Sequence, residues 1–453
     1  MFTKPRIVSR FLYHYVRRIK MKKGILLSVS CFLSMGISAQ SIYFPPLTGN
    51  TWDTISPQTL GYCQAKIDSL YTFLEVNNSK AFILLKDGKI VLEKYFGTHT
   101  ATTPWQWASA GKTITSFMTG IAQQEGHLSI TDTTSTYLGQ GWTNCTPQQE
   151  EKITIWNQLT MTSGLDDGVP DHYCTLDTCL NYLADPGTRW AYHNGPYTLL
   201  DGVIENATGQ TLNTYTTQKL KTPTGMTGTF YSVGYNNVFV SNARSMARFG
   251  SLILNKGNWN GNQIMTDTAY FNDMVNTSQN LNKSYGYLWW LNGKQSFMVP
   301  TLQTVFPAYM CPNAPADMIS AIGSGGQFLN VVPSQNLVWL RMGDDPSTAN
   351  VPFQLNDAIW EYVNDLVCIS SGFEEGYLAH QIELYPNPSN SQLTVSTKEG
   401  TLGRVILYNQ QVLKIKELSI NSSSEQFDIS DYDNGLYFIC FPDRGLTLKF
   451  VKN

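Results

Sequence analysis

The sequence predicts a mixed α/β chain of the α+β kind: an antiparallel sheet flanked by helices, with a helical insertion, then a small all-β sandwich module. Three observations carry this. Strand patterns sit near both ends of the region from Trp52 to Cys368, and helical patterns fill its middle. Beyond Cys368 the pattern changes to short alternating strands.

Taken in order, Ala81 to Tyr95 reads as a hairpin, because two β-rich runs meet at Asp87-Gly88, a pair that favours a type I′ turn. A helix follows, with Ile114, Phe117, Met118 and Ile121 at helical spacing. Tyr197 to Glu205 and Ser245 to Leu254 read as further helices. Strands return at Tyr285 to Leu291, Phe328 to Val332 and Leu337 to Met342, and Phe353 to Val367 closes the region as a helix. Ile369 to Gly376 reads as a linker, and Tyr385-Pro-Asn-Pro precedes the short strands of the last module. The expected division is an N-terminal extension and signal at 1–39, a main domain at 40–370, a linker at 371–380 and a β module at 381–453.

A hydrophobic content of 42% against 14% charged residues describes a globular chain with a sizeable core. The net charge of −3 hides an asymmetry: residues 1–39 hold 8 basic and no acidic residues, and the rest holds 23 basic against 34 acidic. That acidic balance excludes nucleic acid as an expected partner. The basic start reads as an export signal, with Met21-Lys-Lys, the apolar run Gly24 to Ile37 and a small-residue cleavage site at Ser38-Ala39-Gln40. The residues before Met21 fit no standard signal, so Met21 is the expected start of translation. The run is short for a transmembrane helix, so no stable membrane insertion is expected. Seven cysteines follow the signal, and Cys174 and Cys179 are near enough to close a small loop. An odd count leaves at least one thiol free. With no C-x-x-C or H-x-x-x-H pair, no metal or cofactor is expected.

The chemistry concentrates at Ser109-Ala-Gly-Lys112, the only S-x-x-K in the chain. The spacing puts both side chains on one face at the first turn of the helix. A serine hydroxyl needs a base to become a nucleophile, and a lysine one turn away serves once burial lowers its pKa. The helix N-terminus adds N–H groups that favour an oxyanion. Tyr192-His-Asn194 lies in a turn-rich loop before a helix, where a tyrosine hydroxyl beside a lysine relays a proton to a leaving group. His172 and His193 lie outside any G-x-S-x-G context, which argues against a Ser-His-Asp triad.

With these residues in place, Trp52 to Cys368 resembles the serine β-lactamase-related family, which includes class C β-lactamases, D-Ala-D-Ala peptidases, serine esterases and 6-aminohexanoate-dimer hydrolases. Leu159-Thr-Met-Thr-Ser-Gly-Leu-Asp and Pro186-Gly-Thr-Arg-Trp-Ala-Tyr-His-Asn look like further landmarks of it. The resemblance implies a serine β-lactamase-like fold, with Ser109 as acylated nucleophile, Lys112 as general base and Tyr192 as proton relay. Asn194 would hold Lys112 or the substrate amide.

The third family motif, K-T-G or H-x-G on a cleft-lining strand, is where the chain departs. Counting back from Pro333 places the triplet at Ala321-Ile-Gly323, with the Ser324 N–H joining that of Ser109 in the oxyanion hole. The other register, Ser324-Gly-Gly326, gives that donor to Gln327. Neither contains a lysine or histidine to hold a substrate carboxylate, unless Arg341 or Lys112 compensates. The expected activity is therefore an exported serine hydrolase acting on a small-molecule ester or linear amide, without cofactor. A β-lactamase or peptidase is one alternative, and a non-catalytic ligand-binding sensor is another. Trp190 and Trp289 are expected pocket walls beside the motifs. Tyr385-Pro-Asn-Pro and Gly435-Leu-Tyr-Phe resemble the type IX secretion sorting domain of the Bacteroidetes, which implies the type IX machinery as partner and a secreted or cell-surface destination.

Overall fold

A computed structural model describes residues 42–345, 349, 351–368, 382–398, 400–409, 413–444 and 446–453. The expected signal and linker lie outside the described residues. After helix α1 (Gln64–Val76) comes the hairpin β1 (Ser79–Lys86) and β2 (Lys89–Tyr95), turning at Asp87 and Gly88 with φ of 52° and 80°. Both central residues are left-handed, as the type I′ turn requires.

The insertion follows. It contains strand β3 (Trp105–Gln106), helix α2 (Lys112–Gln124), helix α3 (Asn194–Thr208), the hairpin β4 (Thr229–Val233) and β5 (Asn236–Ser241), and helix α4 (Ala243–Leu254). The sheet then resumes with β6 (Trp290–Leu291), β7 (Ile319–Gly323), β8 (Gln327–Val332) and β9 (Leu337–Gly343), before helix α5 (Phe353–Asn364). Strand order is β2-β1-β9-β8-β7-β6, with every pair antiparallel. Ile83 sits opposite Leu340, so the strands nearest the two ends of the domain close its middle. Helix α4 packs along β1, β8 and β9, while α1 packs on β1 and α5. Strands β7, β8 and β9 are buried throughout, as in a sheet covered on both faces.

One expected strand is mostly absent. Of Tyr285 to Leu291 only Trp290 and Leu291 pair in the sheet, because Leu288 at φ 63° turns the chain back on itself. Tyr285 bridges to Trp290 instead, and both rings join a buried cluster with Trp190 and Tyr192. The apolar run feeds this cluster rather than a ladder.

The Cys174–Cys179 disulfide forms, and a second joins Cys63 at the start of α1 to Cys368 after α5. Among the described residues Cys145, Cys311 and Cys440 are free thiols. From Ile382 onward a three-stranded and a four-stranded antiparallel sheet enclose a separate core that includes Leu393, Val405, Ile439 and Phe450. No helix among the described residues is long and apolar enough to cross a membrane.

Candidate active site

The segment carrying Ser109 is fixed before the helix begins. Trp105 and Gln106 pair with Ser241 and Val240 of β5. Trp107 then donates its backbone N–H to the Phe239 carbonyl and its indole N–H to the Ser241 hydroxyl, each at 2.8 Å. Ala108 adopts φ 46°, a left-handed conformation costing a residue with a Cβ about 1–2 kcal/mol. This reversal opens the short 3₁₀ turn Ala108–Gly111, from which α2 departs at Lys112. Residues Lys112 to Ala122 are all buried, so the helix holding the base is a central one.

Lys112 is 2% exposed and its ammonium donates to the Ser109 hydroxyl at 3.1 Å. Burial pulls its pKa down to about 7, against an opposing pull upward from Asp201. The nitrogen lies 4.2 Å from the Tyr197 ring centre and 5.3 Å from that of Tyr192. Burial pushes the Tyr192 pKa above the usual phenol value, and the nearby Ser109 side chain acts against that rise. The structure thus brings Lys112 against both the Ser109 hydroxyl and the Tyr192 ring. A lysine that is half neutral near pH 7 can accept the serine proton.

The opposite wall is β7 and the turn after it. Strand β6 pairs only as far as Ser320, which leaves Ala321 to Gly323 running on beside the Ser109 turn. A Cβ at Gly323 would stand 2.3 Å from the Trp107 carbonyl oxygen, so glycine is required for this approach. Ala321, Ile322 and Gly323 thus lie on the strand, while Ser324, Gly325 and Gly326 form the turn into β8. Ser109, Ser324 and Gly325 line a cleft of ≈ 650 Å³, together with Tyr173, Tyr235, Asp171 and Asp344.

Several expected residues sit elsewhere. Trp190 and Trp289 are 1% and 0% exposed, so they are core rather than pocket walls. Trp190 backs Tyr192, and Trp289 stacks on Phe249 of α4. Their bulk is satisfied by aromatic neighbours, and the cleft takes its rings from Tyr173 and Tyr235 instead. Asn194 is buried at the start of α3 with its Oδ1 lacking a hydrogen-bond partner, so that oxygen does not reach Lys112. Arg341 cannot compensate for the missing cation. It is fully buried behind the turn and donates to the Gly325 and Gly326 carbonyls at 3.0 and 2.7 Å, to the Ser79 hydroxyl at 2.8 Å and to the Asn77 carbonyl. His193 is buried, with both ring nitrogens unpartnered and its pKa lowered to about 4 by burial, and it makes no bond to Ser109. Among the described residues no cluster of His, Cys, Asp or Glu has the makings of a metal site.

Comparisons with known proteins place the fold. The family model described as Beta-lactamase matches residues 78–364, and that of the secretion system C-terminal sorting domain matches residues 383–453. Protein flp of Staphylococcus aureus is 28% identical over 171 residues, covering 33% of this chain. The chain spans about a third (34%) of the length of that curated relative. Among solved structures, one assigned as a 6-aminohexanoate-dimer hydrolase from Bacillus anthracis superposes with a TM-score of 0.55 at 20% identity, over 72% of this chain and 89% of that one. A family VIII carboxylesterase superposes with a TM-score of 0.51 at 13% identity, over 68% and 99%. These two likenesses establish the fold. The chain belongs to the beta-lactamase family and carries a type IX secretion sorting domain at its C-terminal end.

Proposed function

We propose that this protein is an exported serine hydrolase cleaving ester or linear amide bonds through an acyl-enzyme on Ser109. Lys112 takes the Ser109 proton as the oxygen attacks the carbonyl carbon, and Tyr192 passes a proton to the leaving group. The backbone N–H groups of Ser109 and Ser324 stabilise the tetrahedral oxyanion. Water, activated by the same pair, then releases the acid. The observation that carries this reading is the 3.1 Å contact between a buried Lys112 nitrogen and the Ser109 hydroxyl.

The lining of the cleft favours neutral substrates. Its charged lining residues are Asp171 and Asp344, and Arg341 is sequestered. A substrate carboxylate would lose water without gaining a cation, which costs several kcal/mol. This sets the ester and linear-amide reading ahead of the β-lactamase or peptidase one. Export by a signal within residues 1–39 followed by the sorting domain completes the proposal, with residues 40–370 as the hydrolase domain.

The test is hydrolysis of p-nitrophenyl butyrate by the full chain beside its Ser109→Ala and Lys112→Ala variants. Turnover by the parent and loss by at least ~10³-fold in both variants supports the assignment. A parental rate in Ser109→Ala refutes it. Stable acylation without release would favour the ligand-sensing alternative.

A further inference from the structure

One turn along α2 from Lys112, Thr115 bonds a buried carboxylate that the proposed mechanism leaves unused. Asp201 is on α3, one turn beyond Tyr197, and is 8% exposed. Its Oδ1 accepts from the Thr115 hydroxyl at 3.3 Å and its Oδ2 from the Asn237 amide at 3.0 Å. Thr115 is on α2 one turn past Lys112, and Asn237 is on β5 next to the cleft-lining Asn236 and Val238. The Tyr197 ring, one turn before Asp201 on α3, faces the Lys112 nitrogen at 4.2 Å. One carboxylate therefore ties together the helix of the base, the helix following the relay tyrosine and a strand beside the cleft.

Both hydrogen-bond donors to Asp201 are neutral. A buried carboxylate held this way depends on nearby charge to remain ionised. Burial pushes the Asp201 pKa up to about 7, with Glu205 one turn further along α3 acting the same way, while the Asn237 and Thr115 hydrogen bonds and the Lys112 charge favour the carboxylate. Lys112 in turn faces the Ser109 hydroxyl and the Tyr192 and Tyr197 rings, with Asp201 acting on it and Tyr285 packed edge-on against Tyr192. In its ionised form Asp201 opposes the desolvation of Lys112.

We propose that Asp201 is a positioning residue for the Ser109–Lys112 pair, which fixes the field in which Lys112 exchanges its proton with Ser109 and so sets the pH at which the enzyme switches on. The inference rests on the Ser-Lys reading of the site. Without the carboxylate, Lys112 would stay neutral to lower pH but would be a weaker base. With it, the lysine keeps basicity at the cost of a later onset as pH rises. Because the two groups act on one another, the onset belongs to the pair rather than to either residue.

The experiment is the pH profile of kcat/KM for p-nitrophenyl butyrate on the full chain, for the parent and for Asp201→Asn, Asp201→Glu and Asn237→Ala. Removing a negative charge lowers the lysine pKa, so the acidic limb of Asp201→Asn should move down by about one pH unit, with a plateau lowered up to ~10-fold. Asp201→Glu should keep the parental limb. Asn237→Ala removes a donor that favours the charged carboxylate, and its limb should move in the same direction by less. A limb that stays put in a folded Asp201→Asn, with its rate lowered equally at every pH, overturns the proposal by reducing Asp201 to a structural role. If Asp201→Asn does not fold by circular dichroism, an unmoved limb in Asn237→Ala overturns it instead. A parent that hydrolyses no ester, or a Ser109→Ala variant that still does, counts against the Ser-Lys reading itself.

Discussion

Two buried cations stand on either side of the cleft, and burial means opposite things for them. Lys112 has the Ser109 hydroxyl as hydrogen-bond acceptor and two aromatic rings for neighbours, so losing a proton relieves its desolvation. Arg341 is also fully buried, yet it donates to carbonyl or hydroxyl oxygens at Ser79, Asn77, Gly325 and Gly326. Burial lowers its pKa only to about 10, which leaves it charged at neutral pH. The first cation is arranged to titrate and the second to brace. What separates them is the number of oxygen acceptors each has been given, together with the chemistry of amine and guanidinium.

The sharpest way to break this comparison is Lys112→Arg, which keeps the positive charge but cannot deprotonate. Ester hydrolysis should fall by roughly 10³-fold or more, while the melting temperature changes far less than activity. An active Lys112→Arg would make the lysine a fixed charge like Arg341. The converse change, Arg341→Met, strands the carbonyls of Gly325, Gly326 and Asn77. Denaturant unfolding should show a loss of about 3 kcal/mol, and kcat should fall more than KM rises because the Ser324 turn loses its brace. If stability held and kcat were unchanged, the bracing role would be wrong.

A smaller effect tests what the withdrawal of Arg341 does to specificity. Matched aryl esters with neutral and carboxylate-bearing acyl groups should differ about tenfold or more in kcat/KM, favouring the neutral one. Ser324→Lys, at an exposed position lining the cleft, should narrow that gap by a few-fold at low salt. Equal rates for both esters in the parent would mean that some other group receives the carboxylate.

The nucleophile side was legible in the sequence because its logic is local. Ser109 and Lys112 are three residues apart, and the periodicity of Ile114, Phe117, Met118 and Ile121 marks the helix that Lys112 begins, with Ser109 in the 3₁₀ turn just before it. The hairpin at Asp87-Gly88 and the strands β8 and β9 were legible for the same reason, since each alternation or turn signal is self-contained. Tyr192 was picked out by its setting in a turn-rich loop before a helix, and the resemblance added its role as proton relay. The parts that escaped are those made by distant residues meeting. Nothing in the sequence pairs Cys63 with Cys368 across 305 residues, and nothing marks Asp201 as the partner of Thr115 and Asn237. Trp289 shows the related failure: an aromatic beside motif residues looks the same whether it faces the cleft or stacks on Phe249. A run such as Tyr285 to Leu291 is apolar enough for a strand, and only the reversal at Leu288 reveals that it packs as a knot of rings.

The central claim is that Ser109 is a nucleophile armed by a lysine that loses its proton near neutrality. The rate at which an alkyl fluorophosphonate modifies the full chain, followed across pH with peptide mapping of the product, tests it most directly. The account predicts one adduct, on Ser109, formed at a rate that climbs through a pH of about 7, with Lys112→Arg scarcely labelled. An adduct on another residue, or a Ser109 labelling rate independent of pH and of Lys112, would contradict it.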